Sequence, residues 1–179
     1  MKPSKIIIST TLSIIALILL TSCSASQIPA GVSPVKPFDV TRYTGKWYEI
    51  ARLDHSFERG MSQVTAEYRD NGDGSIKVIN RGFSESKNKW SEAVGRAQFV
   101  GASDVAHLKV SFFGPFYGGY IVFDMDQENY QYALISGPNH SYLWLLSRTP
   151  TLSDDVKNRL IQKAKSAGFD TSKLIMVQQ

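Results

Sequence analysis

The chain has 179 residues, room for one ordinary domain and a little more. With 42% hydrophobic and 20% charged residues it is neither a disordered chain nor a polytopic membrane protein. Lysine and arginine exceed the acids by 20 − 16 = +4, and by 18 − 16 = +2 once Lys2 and Lys5 are set aside with the leader below. That balance, with no Lys/Arg cluster, argues against nucleic acid as a partner. The single cysteine, Cys23, excludes an internal disulfide and any Cys-ligated metal, and no other metal or cofactor is expected.

Lys2 and Lys5 precede an apolar run from Ile6 to Leu20. The run has the length of a signal-peptide core and is short for a membrane-spanning helix. It ends in Leu20-Thr21-Ser22-Cys23, which resembles the lipobox of bacterial lipoprotein precursors. The resemblance implies cleavage after Ser22 and acylation of Cys23, which ties the chain to a membrane through lipid. The residue after the cysteine is Ser24 and not aspartate, which under the enterobacterial sorting rule implies the outer membrane. Residues 1–22 are therefore expected to be a signal peptide. Residues 23–37, with Pro29, Gly31, Pro34 and Pro37, are expected to form a lipidated tether, and 38–179 a single domain.

Beyond the tether, alternating segments are separated by turns. Strands are predicted near 46–54, 63–70, 75–84, 90–100, 106–113, 118–125, 130–137 and 142–148. Asn71-Gly72-Asp73-Gly74 is a strong hairpin signal, because its residues tolerate positive φ. The 102 residues from 47 to 148 allow about 13 per strand and turn, the spacing of a hairpin meander.

The parity of the charges shows which face is wet. Thr65, Glu67 and Arg69 oppose Val64, Ala66 and Tyr68; Lys77 and Arg81 oppose Ile76, Val78, Asn80 and Gly82. Glu92, Arg96 and Gln98 oppose Ala93, Gly95, Ala97 and Phe99; Lys109 and Ser111 oppose Leu108, Val110 and Phe112. One apolar face against one charged face predicts an all-β, eight-stranded up-and-down antiparallel barrel with a greasy interior. A membrane-spanning barrel needs the inverse polarity, so the polypeptide itself is not expected to cross the bilayer.

A helix follows, with Ser153 as expected N-cap and Asp154 and Asp155 in its first turn. Val156, Leu160, Ile161, Ala164 and Ala167 form its apolar stripe, and Gly168 ends it. A short last strand, Leu174 to Val177, is expected on the edge of the first.

Gly45-Lys46-Trp47-Tyr48, at the start of the first strand, resembles the Gly-x-Trp signature of the lipocalins. Arg148, closing the eighth strand, corresponds to that family's late arginine. Tyr48-Glu49-Ile50-Ala51-Arg52, Phe57-Glu58-Arg59-Gly60, the run from Ser111 to Tyr120 and the run from Leu143 to Pro150 resemble the bacterial members. The resemblance covers essentially the whole chain. It implies a barrel closed at one end by Gly45, Trp47 and Arg148, with the guanidinium lying across the indole. The chain departs from the family at its middle motif, usually Thr-Asp-Tyr, where Glu128-Asn129-Tyr130 stands here.

A barrel of this size holds side chains or one small ligand. The inward small residues Ala66, Gly82, Ala93, Gly95 and Ala97 signal either a void or a taper. With a void, Tyr68, Phe99, Phe112 and Trp144 line it and Asn80 is a sparse polar point, a composition suited to an elongated apolar molecule. By resemblance, Tyr68, Asn80 and Trp144 match pocket positions, Tyr117 is a rim candidate, and the ligand is a fatty acid or lysophospholipid bound for membrane maintenance under stress. The Trp144 indole N–H is expected to reach a ligand oxygen.

Two alternatives stand beside a carrier. A barrel packed shut would make this a structural or interaction lipoprotein, and the apolar run Phe112 to Tyr117 at the mouth allows a homodimer. A lipid-modifying enzyme would need a nucleophile or metal motif. His55, His107 and His140 are widely spaced, no Gly-x-Ser-x-Gly elbow occurs, and Asp54-His55 beside Glu58-Arg59 reads as a salt-linked loop. No catalytic residue is assigned.

Overall fold

The sheet closes on its own first strand. The computed structural model describes residues 26–179, so the leader, Cys23 and Ser24 lie outside the described residues. A one-turn helix, α1 (Val40–Tyr43), leads into β1 (Gly45–Arg52), β2 (Met61–Asp70), β3 (Ser75–Ser84), β4 (Lys89–Phe99), β5 (His107–Phe113), β6 (Phe116–Met125), β7 (Tyr132–Ser136) and β8 (Leu143–Ser147). Each pairs antiparallel with the next, and β1 pairs with both β8 and β2, giving the predicted eight-stranded barrel. Val64, Ala66, Tyr68, Ile76, Val78 and Leu108 are buried on the inner face, as their parity requires.

The β2–β3 turn forms as its residues dictate. Gly72 and Gly74 take φ of 76° and 80°, and the Asp70 and Asp73 carboxylates accept from the amides of Gly72 and Ser75. The β6–β7 connection departs from expectation. The Asp126 carboxylate accepts from the amides of Glu128, Asn129 and Gln131, and Tyr130 sits at φ 56°, so β7 begins at Tyr132 and not at 130. β6 in turn starts two residues early, because Phe113 and Phe116 pair across the hairpin tip.

The turns β2–β3, β4–β5 and β6–β7 and helix α1 gather at one end, which is sealed. Trp47 is fully buried there and its Nε1 donates to the Tyr43 carbonyl at 2.8 Å. The Arg148 guanidinium lies 4.0 Å from the Trp47 ring centroid and donates to the carbonyls of Lys46, Arg42, Tyr43, Thr44 and Tyr130. One side chain thus ties four carbonyls at the chain's entry into β1 to that of Tyr130 in the β6–β7 connection.

Helix α2 (Asp154–Ser166) packs outside the barrel through Leu160, Ala164 and Ala167, against Ile121, Phe123 and Leu134. Ser153 is its N-cap, as expected, with its carbonyl taking the Lys157 amide, although its hydroxyl makes no capping bond. Its C-terminus ends on Gly168 at φ 95°, with Phe169 N–H bonded to the Ala164 carbonyl and Gly168 N–H to that of Lys165. That is the paired bonding of a Schellman cap, in which the glycine takes the left-handed residue. The last strand, β9 (Ile175–Met176), pairs with Ala51 and Arg52, where β2 no longer pairs with β1.

Residues 28–37 correct the free-tether expectation. Ile28 and Val32 pack with the α2 side of the barrel, the Val35 amide donates to Val122 and its carbonyl accepts from Ala106, and Lys36 pairs with Asp104. Spaced apolar residues dock this Pro- and Gly-rich segment along the barrel, whereas composition alone describes a loose linker. Packing against the barrel thus begins near Ile28.

Candidate ligand-binding site

The loops β1–β2, β3–β4, β5–β6 and β7–β8 surround the end opposite Trp47, and between them opens a cavity of about 600 Å³. Its floor is a chain of phenols: Tyr120 Oη lies 2.7 Å from Tyr43 Oη and 2.8 Å from Tyr68 Oη. Burial raises all three above the usual phenol range, so the floor is uncharged. Above it the walls are apolar, with Ala66, Ile76, Val78, Ala97, Leu108 and Leu146 facing the space.

The small inward residues divide into the two roles parity left open. A Cβ on Gly95 would meet the Phe112 ring at 2.8 Å, and one on Gly82 would meet Met61 and Val64 at 3.1 and 3.2 Å. Gly95 makes room for a neighbour, which is taper, and Gly82 does so while also lining the cavity. Ala66, Ala93 and Ala97 face the cavity, which is void.

One wall near the mouth carries charge that strict alternation hides. A bulge in β1 between Glu49 and Ala51 sets Glu49 opposite Leu146 and Arg52 opposite Trp144, so both point inward although they are three positions apart. Arg52 Nη1 donates to Glu49 Oε1 at 2.7 Å and Nη2 to the Glu58 carbonyl at 2.8 Å. His55 Nε2 lies 2.9 Å from Glu58 Oε2, close but poorly aligned for a hydrogen bond, and Trp144 Nε1 donates to the same oxygen at 3.1 Å. All four charged or titratable residues are buried. Burial, and next the Glu58 charge, hold the Glu49 carboxyl well above the usual range. Burial pushes Glu58 the same way, but the adjoining His55 ring, Trp144 and Arg52 outweigh it and leave Glu58 lowered. The pair therefore presents one carboxylate and one carboxyl that favours its neutral form.

Of the residues singled out from sequence, Trp144, Tyr68, Asn80, Ala93, Phe112 and Tyr117 line the cavity. They stand at different depths: Tyr68 is on the floor, Asn80 on the wall, and Ala93 and Phe112 are exposed near the lip. Tyr117 is at the rim, beneath Lys109 Nζ at 5.0 Å. The Asn80 Oδ1 is buried with no hydrogen-bond partner among the described residues. Phe99 is a correction: it packs edge-on to Phe38 at 6.3 Å beneath the sealed end and does not face the cavity. Trp144 carries a second, since Glu58 already takes the indole N–H expected for a ligand oxygen. Sequence reasoning missed Glu49 and Glu58 as cavity-lining side chains, together with Arg52 and His55, which are buried against them. The available signal was Glu49 itself, an acid sharing parity with Trp47.

His55, Glu58 and their neighbours form no metal cage; among the described residues no three His, Cys, Asp or Glu side chains converge as metal ligands. Asp54 and Arg59, beside them, are joined at 2.7 Å at the surface.

Comparison with known proteins agrees with this architecture. The model of the lipocalin-like domain matches residues 38–179. The outer membrane lipoprotein Blc of Vibrio cholerae is 58% identical over 93% of this chain and 96% of its own. Its counterpart in Escherichia coli is 52% identical over 92% of each chain. Among solved structures, insecticyanin from the tobacco hornworm Manduca sexta superposes with a TM-score of 0.66 over 86% of this chain and 87% of its own; at 23% identity that likeness shows the fold alone. The sealed Trp47–Arg148 end, the open cavity and these matches together show that the chain belongs to the lipocalin family, as a Blc-like lipoprotein of the bacterial outer membrane.

Proposed function

We propose that the chain is a lipid-anchored carrier that takes one single-chain acyl lipid, a fatty acid or a lysophospholipid, into its barrel and serves membrane maintenance under stress. The observation that carries this reading is the apolar cavity of about 600 Å³, open at one end and floored by neutral phenols. Its size falls within the roughly 300–1,000 Å³ of small-molecule sites. About ten buried methylenes contribute roughly 8 kcal/mol, and association and ordering costs reduce this to about micromolar affinity. That suffices to hold a monomeric single-chain lipid and not to pull a diacyl lipid from a bilayer.

The wall chemistry suits the acyl chain inside and the head group out. The ionised Glu58 near the mouth repels an anionic group placed beside it, and the neutral-favouring Glu49 spares the interior a second charge. The unpartnered Asn80 Oδ1 is available to a ligand donor such as a glycerol hydroxyl. Nothing in this arrangement supplies an activated nucleophile, which favours carriage over turnover.

Displacement of a fluorescent acyl probe tests the reading: fatty acids and lysophospholipids should displace it at micromolar concentration and diacyl lipids should not. Turnover of lysolipid by the purified protein would instead support an enzyme, and absence of probe binding a barrel closed in solution. The anchor has its own test. Cys23→Ser should accumulate as unprocessed precursor without acyl label; palmitate incorporation by that variant would overturn the lipobox reading.

A further inference from the structure

We propose that Glu49, Glu58, Tyr142 and Trp144 form a subsite for a primary ammonium group, so that the barrel favours single-chain lipids whose head carries an amine. The proposal rests on the carrier reading above and names the head group which that reading leaves open.

The first observation is what the cavity wall offers a ligand. Glu49 and Glu58 are 3% and 6% exposed and line the cavity, while Arg52 and His55 are buried against them. Arg52 spends its Nη atoms on Glu49 Oε1 and on the carbonyls of Glu58 and Met61, so its donors are committed to the wall. Each acid keeps one oxygen, Glu49 Oε2 and Glu58 Oε1, that takes no N–H among the described residues. The surface that a ligand meets here is therefore made of acceptors. An ammonium group carries three N–H donors and no acceptor, and its hydrogen bonds to carboxylate are the strong, charge-assisted kind. An anionic group in the same place would meet like charge. In a zwitterionic head the ammonium, and not the phosphate, faces this wall.

The second observation is the set of buried groups left idle behind the two acids. His55 is only 5% exposed, and neither ring nitrogen has a hydrogen-bond partner among the described residues, although Nε2 lies 2.9 Å from Glu58 Oε2. Arg52 Nε is idle in the same sense. Buried polar groups are rarely left so, and a cluster that its own members do not satisfy has room for another charged partner. Glu58 is meanwhile held from behind, with Trp144 Nε1 at 3.1 Å from Oε2 and the His55 ring beside it. That arrangement leaves Oε1 for a ligand donor.

The third is aromatic. Tyr142 and Trp144 line the cavity with Glu58, their ring planes 20° apart and their centroids separated by 6.1 Å. A cation beside such rings is drawn to their faces. Aromatic rings with carboxylates suit an organic cation better than a metal ion, for which no third ligand converges among the described residues. Leu146, opposite Glu49, continues the wall into the apolar cavity, so the cation belongs to a molecule whose chain lies inside.

Charge balance supplies the fourth. The Glu49 and Glu58 carboxyls adjoin, and burial together with the Glu58 charge keeps the proton on Glu49. An arriving ammonium takes the place of that proton: Glu49 ionises, the proton passes to solvent, and the net charge of the wall stays the same. The groups facing the pair are Arg52 on β1, His55 in the β1–β2 loop and Tyr68 on the floor, whose phenol the two acids help to raise. Arg81 and Glu92 line the cavity from β3 and β4. Of all these, Glu49 is the group whose proton an adjoining cation displaces.

The test uses the full chain in diacyl phosphatidylcholine nanodiscs, with a fluorescent acyl probe displaced by tetradecylamine, tetradecanol or tetradecanoate. The preference for amine over alcohol is compared between proteins, so that partition into the disc cancels. That preference should be about tenfold greater in the native protein than in Glu58→Gln or Glu49→Gln. Tetradecanoyl lysophosphatidylethanolamine should gain by a similar factor over the matching lysophosphatidylglycerol. Calorimetry at pH 6 in two buffers of different protonation enthalpy should show a proton released with the amine and none with the alcohol. That readout needs no variant, so it decides the matter even where a variant fails to fold. Equal preferences in native and variant proteins for either pair of ligands, or amine binding without proton release, overturn the subsite; displacement by tetradecanol and tetradecanoate then leaves the carrier reading standing. Displacement by none of the ligands overturns the carrier reading and the subsite with it.

Discussion

The two ends of the barrel are built from the same residue types and do opposite things. At the sealed end, Trp47 is fully buried with its N–H satisfied, and Arg148 spends its donors on five backbone carbonyls while stacking on the indole. At the mouth, Trp144 is only partly buried, Arg52 keeps a buried Nε with no hydrogen-bond partner among the described residues, and phenylalanines face solvent. A tryptophan and an arginine with every group matched make a plug. The same pair beside two carboxylates, a histidine and an open cavity makes a polarised wall that a ligand can approach. The sealed end fixes the fold, and the mouth gives up local stability for access.

The contrast breaks most visibly at Trp47. Trp47→Ala should destabilise the barrel by about 3–5 kcal/mol, as large aromatic core truncations do. Arg148→Ala should cost less, and the double variant should be non-additive because the two side chains touch. Chemical denaturation of the four proteins checks this, and strictly additive losses would mean that the plug is not one unit.

At the mouth the matching change should act on affinity. Trp144→Ala removes a cavity wall and should weaken acyl-probe binding by about tenfold, roughly 1.4 kcal/mol, with the barrel still folded. Trp90, outside the barrel under Arg81, should matter much less when truncated. Unchanged probe affinity in folded Trp144→Ala would move the ligand elsewhere.

The smallest effect is a pH dependence. The folded barrel holds the Glu49 proton more tightly than the unfolded chain, where the group titrates near 4.5. Stability from this group is complete below that value and is lost as pH rises toward the folded one. The lowered Glu58 acts oppositely and loses its contribution only as pH falls below its ordinary range, so the two windows separate. Denaturation midpoints at pH 5 and pH 8 should shift against the native protein relative to Glu49→Gln as pH rises. A constant difference would show that Glu49 is already ionised at pH 5.

The sequence made the repetitive part of the molecule legible. Alternating parity in β2, β3 and β5, the Asn71–Gly74 turn and the Gly168 terminator each follow from local chemistry, and the structure has them there. What escaped depended on breaks in a pattern. The β1 bulge turns Glu49 and Arg52 to the same face, which strict alternation assigns to opposite ones. Phe99 has inward parity, but Phe38, from a segment outside the strands, fills the space it would have faced. Ile28, Val32 and Val35 sit among prolines and glycines whose composition signals a linker, and only the structure shows that Ile28 and Val32 pack on the α2 side of the barrel while Val35 bonds Val122 and Ala106. For the candidate site, parity found the apolar wall and the small residues, while the charged wall required the third dimension.

The central claim, that this barrel carries one single-chain acyl lipid, is tested most directly by native mass spectrometry of protein made in bacterial cells, with extraction and identification of what it releases. The account predicts one lipid per barrel, a fatty acid or lysophospholipid, lost from the Trp144→Ala protein at lower collision energy. Folded protein that carries no lipid and takes up none on incubation with lysophospholipid would contradict it.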